Sequence, residues 1–247
     1  MKKLKVLGIC ASPRSKGNME YILGRCLEAM RRNGGDEVEI KRYLFRAKKM
    51  NPCLDCGGCY LSGECVIRDD FQRLKELWLE ADIVVYAVPV YHLGLPGQLK
   101  CFIDRLGQSI CAAHSDECNG KEETMPKYLK VIAPLTLGIH QVSGQEQTIM
   151  QIINHALIMQ CLPVSGDAWQ CYTGAGGWTQ NREEKDAIEK LAGERDFSTL
   201  ALIKAIETTA LRALQLARVV RDGLIACREE LAGDAQYRFV LDKHCSD

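Results

Sequence analysis

The sequence carries no surplus of either charge: its 247 residues hold 32 lysines and arginines against 32 aspartates and glutamates. Binding a phosphate backbone needs an excess of cations, so nucleic acid is not the expected partner. No run reaches the length of about eighteen apolar residues that a membrane-spanning helix requires. An export signal is also missing. Lys2 and Lys3 precede an apolar stretch from Leu4 to Ala11, but Lys5 interrupts it and Ser12-Pro13-Arg14 follows at once. That stretch is too short and too charged for a signal peptide, so a reducing cytoplasm is the expected compartment. Two phosphate-binding signatures are absent as well: the Gly-Lys-Ser/Thr ending of a P-loop and the three spaced glycines of a dinucleotide fingerprint. Nothing resembles a catalytic triad or a carboxylate pair. No internal repeat, linker or low-complexity stretch marks a second domain.

What the chain does have is cysteine, thirteen in all. In a reducing compartment, clustered cysteines more often bind metal or do redox work than form structural disulfides. Cys53, Cys56, Cys59 and Cys65 make the pattern C-x2-C-x2-C-x5-C. Three thiolates two residues apart can converge on one cubane, with the fourth arriving from further along the loop. Gly57, Gly58 and Gly63 permit the tight backbone this needs. The spacing suits a 4Fe-4S cluster better than zinc, whose sites usually separate two Cys pairs by a longer stretch. Zinc on the same thiolates, free thiols and a regulatory disulfide are the competing readings. Cys10, Cys26, Cys101 and Cys161 fall in core-like segments and read as small buried hydrophobes. Cys111, His114 and Cys118 have the residue types for a second metal site, but an exposed polar insertion is the preferred reading.

Apolar runs alternate with helical periodicity along the chain. Strands are expected at Leu4–Cys10, Asp36–Leu44, Ala81–Val88, Tyr128–Pro134 and Leu162–Trp169. Helices are expected at Asn18–Asn33, after Asp69-Asp70, at about Pro96–Ile110 and at Gly144–Gln160, with a polar insertion at Ala112–Lys127. Such alternation implies right-handed crossovers and a doubly wound parallel sheet of five strands, an α/β fold with helices on both faces. Ligands of these sheets sit beyond the carboxyl ends of the strands, at the switch in strand order. From Phe197 to Leu231 a rhythm of three and four predicts a long C-terminal helix.

The turn Ser12-Pro13-Arg14-Ser15-Lys16-Gly17-Asn18 joins a buried strand to a helix. Hydroxyls, backbone amides and the helix N-terminus can cradle a phosphate there; the alternative is an ordinary capped turn. Two further segments accompany it. Ala81 to Tyr91 runs into Gly97-Gln98-Leu99-Lys100-Cys101-Phe102-Ile103-Asp104-Arg105, and Ser143-Gly144-Gln145-Glu146-Gln147-Thr148 follows later. In this order the pieces resemble the NAD(P)H-dependent FMN reductase group of flavodoxin-like proteins, and the cysteine loop is similar to that of the iron–sulfur flavoproteins. The resemblance covers roughly 3–178.

The resemblance implies FMN bound by Ser12, Arg14, Ser15, Gly17 and Asn18 at its phosphate. Met19 departs from the family pattern, where threonine is usual. Pro89, Val90 and Tyr91 would pack on the isoalloxazine ring, with His92 and Gly94 continuing that loop. Gly138 and Gly144 would lie in a third flavin-side loop, although Leu137, Ile139 and His140 stand where more glycine is common. For Tyr91 the bland alternative is core packing. His140 reads as a surface histidine, and Asp104 and Arg105 as anchors of a helix end. Trp169, Tyr172 and Trp178, among Gly174, Gly176 and Gly177, are either a flap over the flavin or, preferably, a Gly-rich connection packed by aromatics.

The expected organisation is an FMN-binding domain over 1–193, carrying the cysteine loop at 51–66. A helical extension over 194–247 would pack on it or on a partner subunit. The implied activity moves electrons between NAD(P)H or a ferredoxin-type donor and a small-molecule acceptor, through FMN and a 4Fe-4S cluster, with no residue assigned as catalytic. A homodimer or homotetramer is the expected assembly. The alternatives are an NAD(P)H-dependent FMN or quinone reductase without a cluster, and a non-enzymatic electron carrier or redox sensor.

Overall fold

Three strands are near-continuous apolar runs, the pattern of parallel strands covered on both faces. They are β1 (Leu4–Cys10), β3 (Ile83–Pro89) and β4 (Val131–Gly138). In the computed structural model, which describes residues 2–115, 125–166 and 171–245, they form the centre of a parallel sheet. β2 (Val38–Leu44) pairs with β1 on the other side from β3, and the strand order is β2-β1-β3-β4-β5.

The fifth position departs from the expected strand over Leu162–Trp169. Among the described residues of that stretch, β5 (Leu162–Pro163) is the part that pairs as strand, against Val131 and Ile132. Pro163 brings no N–H to the ladder, and two residues after Val164 the Gly166 amide turns to the Cys171 carbonyl at 2.8 Å. The chain re-enters beside the same strand as β6 (Ala175–Trp178), paired with Leu135–Gly138. The stretch proposed as a flap or a connection is thus partly a strand of the sheet; Trp169 lies outside the described residues.

On one face lie α1 (Asn18–Gly34) and the helix counted here as α7 (Phe197–Ala226), after α2 (Gly58–Ser62), α3 (Phe71–Glu80), α4 (Gly97–Ala113), α5 (Gln145–Ile158) and α6 (Ala187–Gly193). The opposite face is covered by α3, α4 and α5. α7 extends for 30 residues, about 45 Å at 1.5 Å per residue. Its Ala205, Ala210, Ala213 and Ala217 share one apolar cluster with Ile22, Cys26 and Met30 of α1 and with strand residues of the sheet. Small residues at those positions let the two helices approach closely. α8 (Arg228–Leu231) and α9 (Arg238–Cys245) bring the chain back under the amino ends of the strands, where Lys243 and His244 pair with the buried Asp82. Cys10, Cys26 and Cys161 are buried as expected, whereas Cys101 is half-buried.

A polar chain crosses the second core. Trp78 Nε1 of α3 donates to the Tyr86 hydroxyl of β3 at 3.0 Å, and that hydroxyl lies 3.2 Å from Nε2 of His155 in α5. The hydroxyl accepts from Trp78, and its own hydrogen is free to point to Nε2 when His155 is neutral. Burial pushes the His155 imidazole down to about 4, because a charged ring would be stranded in apolar surroundings.

The sign of the linkage follows. An unfolded histidine titrates near ~6.5, so between that value and about 4 the unfolded chain takes up a proton that the folded chain refuses. Stability contributed by neutral His155 is complete above the upper value and is lost as pH falls towards the lower one. Urea unfolding should show a loss of about 3 kcal/mol from this group between neutral pH and pH ~4. His155→Gln, which accepts the same hydrogen bond without titrating, should give a flatter profile over that window.

Candidate functional site

The connection leaving β1 goes to one side of the sheet and that leaving β3 to the other, and a crevice opens at their carboxyl ends. Ser12, Arg14, Gly17, Asn18 and Met19 form one wall of it, and Pro89, Val90 and Tyr91 a second. Leu137, Gly138 and Ile139 close the side at β4. The cleft is an open one, with about 630 Å³ of space between its walls and the solvent. The first amides of α1 have no partner within the helix and lie at the end of the Ser12–Gly17 turn. A Cβ at Gly17 would pack against Arg14 Cβ at 3.4 Å, an ordinary contact. Met19 is buried in the core beneath the turn and offers no hydrogen bond in its place.

Tyr91 is 45% exposed, which excludes the alternative that it is a core residue. It is held by a tight turn: the Tyr91 amide donates to the Gly94 carbonyl at 2.9 Å, and the Gly94 amide returns a bond to the Tyr91 carbonyl at 3.0 Å. The two central residues, His92 and Leu93, have φ of 46° and 65°. Hairpin turns with positive φ at both positions favour Asn and Gly, and a leucine there is strained.

His92, Gly94, Gly144 and Ser15 are not on the wall of the cleft. Gly94 and Gly144 instead stand behind it. Gly144, at φ 102°, packs so closely on the strained turn that a Cβ would lie 2.6 Å from Leu93 Cα. Gln151 of α5 accepts from the Leu95 amide at 3.0 Å and fills the space beside Gly94. These two glycines position Tyr91 without touching the cleft.

A fourth wall escaped the sequence reading. Thr179, Arg182 and Lys185, just after β6, also line the cleft. Asn18 ties this segment down: its side-chain amide donates to the Glu184 carbonyl at 2.9 Å, and its oxygen accepts from the Ile188 amide at 3.0 Å. Arg14 Nη1 donates to the Glu183 carbonyl at 3.2 Å. On the other side the amides of Thr179 and Asn181 bond to Gly138 and Ile139. The Asn18 side chain is therefore spent on structure. Among the described residues the cleft is lined by three cations, Arg14, Arg182 and Lys185, and by no acidic residue. Arg182 is also paired with Glu194 at 2.8 Å. The stretch after the glycines, Thr179 to Asp186, mixes one arginine and one lysine with three acidic residues and gave no signal of its own. His140 is exposed and contacts Asn181 Oδ1 at 2.5 Å, outside the wall.

The cysteine loop makes a second, separate cavity. Cys53, Cys56, Cys59 and Cys65 all line it, together with Val66, Ile67 and residues of α4, and it shares no lining residue with the cleft. Gly57 and Gly63 take φ of 68° and 71° at the two ends of α2, the left-handed conformation that glycine allows. Burial pushes the Cys59 thiol up, and the neighbouring Cys65, Cys53 and Cys56 act in the same direction. Four soft donors line one cavity and fit a sulfur-ligated metal group in kind. Among the described residues, no three ligating side chains are drawn together as a finished metal site. Cys111 is exposed; Cys118, the third member of the weaker candidate, lies outside the described residues. Asp104 pairs with Lys100 on the surface of α4, whereas Arg105, expected to anchor the helix end, reaches into the cysteine loop instead.

The family model described as NADPH-dependent FMN reductase matches residues 4–171. The chain is 33% identical over 179 residues to an iron–sulfur flavoprotein of Archaeoglobus fulgidus, covering 72% of this chain and 85% of that protein. It is 32% identical over 185 residues to an iron–sulfur flavoprotein of Methanosarcina thermophila, covering 75% and 87%. Among solved structures, RosB with the bound intermediate 8-demethyl-8-formylriboflavin-5′-phosphate superposes with a TM-score of 0.63 at 19% identity, over 94% of this chain and 88% of that one. At that identity the likeness speaks for the fold. Thr179, Arg182 and Lys185 lie past the matched family span. With the crevice at the strand switch, the phosphate turn and the matched span in agreement, the chain belongs to the NADPH-dependent FMN reductase family, in its iron–sulfur flavoprotein group, and is a flavin-dependent oxidoreductase.

Proposed function

We propose that the cleft holds FMN with its phosphate at the Ser12–Asn18 turn and its ring against Tyr91, and that the cysteine cavity holds a 4Fe-4S cluster. The observation that carries the first part is a wall of three cations and no carboxylate around an open turn at a helix N-terminus. Such a wall suits a doubly charged phosphate. When bound there, FMN would supply the electron exchange between NAD(P)H or a ferredoxin-type donor and a small acceptor. The chain's part is to bind and orient. Arg14 and Lys185 neutralise the phosphate, Tyr91 offers a face for stacking, and Leu137 and Ile139 keep water from that side. A cluster on Cys53, Cys56, Cys59 and Cys65 would supply one-electron transfer.

A second reading, an FMN or quinone reductase with metal-free thiols, is favoured by the ungathered state of the ligating side chains among the described residues. Anaerobic purification separates the two. The cluster reading expects about four iron and four sulfide per chain beside the flavin; flavin without iron leaves the second. Cys56→Ser should lose most of the iron while retaining flavin, and full iron in that variant would refute the ligand set.

Arg14→Ala and Lys185→Ala should each weaken FMN binding roughly tenfold or more, the worth of a charge-assisted hydrogen bond, measured by quenching of flavin fluorescence. Unchanged affinity in both would remove the phosphate from this turn. Gly144→Ala should also weaken binding, by roughly tenfold, because the added Cβ displaces the Leu93 backbone and with it Tyr91. The same measurement checks it, with thermal unfolding as the control for folding.

A further inference from the structure

Arg105 sits in the middle of α4, 1% exposed, and takes no part in the flavin cleft. A guanidinium is rarely taken so completely out of water unless its partners are fixed. Here those partners belong to the cysteine loop. Nη1 donates to both carboxylate oxygens of Asp69, at 2.9 and 2.8 Å, and to the Asn51 carbonyl at 3.2 Å. Nη2 donates to the Ile67 carbonyl at 2.8 Å and to Cys65 Sγ at 3.4 Å. The guanidinium carbon lies 4.2 Å from the centre of the Phe71 ring.

Asn51 and Asp69 are the two ends of the loop, and they are also bonded to each other. The Asn51 amide and side chain both donate to Asp69 Oδ2, at 2.9 and 2.8 Å. The neck of the loop is thus closed by one buried ion pair whose cation also reaches a cysteine sulfur. Arg105 lines the cysteine cavity, and its Nε has no hydrogen-bond partner among the described residues. One donor is still unspent beside the four thiols.

We propose that Arg105 is the positioning residue of the cysteine cavity: its pairing with Asp69 clasps the two ends of the loop, and its second terminal nitrogen holds Cys65 and sets the redox potential of the iron–sulfur group ligated there. The potential half rests on the cluster reading above; the clasp does not. A donor and a positive charge beside a ligand sulfur stabilise the more negative, reduced cluster, so they raise its potential. Lysine can replace the charge opposite Asp69, but it lacks the planar fork that serves carboxylate and sulfur together.

Two variants of the full chain separate the roles. Arg105→Lys should keep the loop closed yet move the midpoint potential of the reconstituted cluster to more negative values, with an altered electron paramagnetic resonance signal of the reduced form. Arg105→Gln should open the neck, and amide hydrogen exchange over 51–69 in metal-free protein should rise roughly tenfold or more, while flavin stays bound. A wild-type potential and signal in Arg105→Lys overturns the contact with Cys65. Unchanged exchange in Arg105→Gln overturns the clasp. If the wild-type chain takes up no iron or sulfide, the cluster reading and the tuning role fall together. Opening of the loop in metal-free Arg105→Gln would still uphold the clasp, so the two failures are told apart.

Discussion

The reversal of strand order between β1 and β3 is the constraint on which the site depends. Parallel strands need right-handed crossovers, and a crossover leaving β1 to one side while the next leaves β3 to the other cannot cover the edge between them. The gap lies where two chain segments emerge with unpaired amides, and a polar ligand fits there without displacing core. The phosphate turn and Tyr91 flank this gap because they are the first residues after the two strands. The strain at His92 and Leu93 is tolerated because Gly144 and Gln151 press on the turn from behind.

Positive charge is used in opposite ways at the two cavities. Around the cleft, Arg14 and Lys185 remain open to solvent, where their charge is held ready for an anion and is sensitive to salt. In the cysteine loop, Arg105 is buried and already matched by Asp69. That pair gains little as a net source of stability, since desolvating two charges offsets most of their attraction. What it secures is the shape of a loop that has hardly any apolar core of its own. The two cavities share no lining residue.

Much of the fold was legible because burial writes itself into contiguous residues. The runs at Leu4–Cys10 and Ile83–Pro89 are apolar at nearly every position, which only a doubly covered strand explains. The turn after β1 and the four-cysteine spacing were legible for the same reason: each is one short segment. The fifth strand was not. Leu162 starts as expected, but Pro163 and the turn at Gly166 divert the chain, and Ala175–Trp178 contains two glycines that weaken any strand signal. The packing of Gly144 on Leu93 and of Gly94 beside Gln151 was not legible, because close packing between two loops leaves no trace in spacing.

The sequence by itself determined the layered α/β architecture, the turn after β1 and the set of four thiols, since these rest on local pattern and residue chemistry. Only the tertiary structure decided that Arg182 and Lys185 face Arg14 across the cleft, that α7 packs beside α1, and that Arg105 closes the cysteine loop. Each of these joins residues far apart in the chain. A side chain's periodicity records whether it is buried, but not which distant group it is buried against.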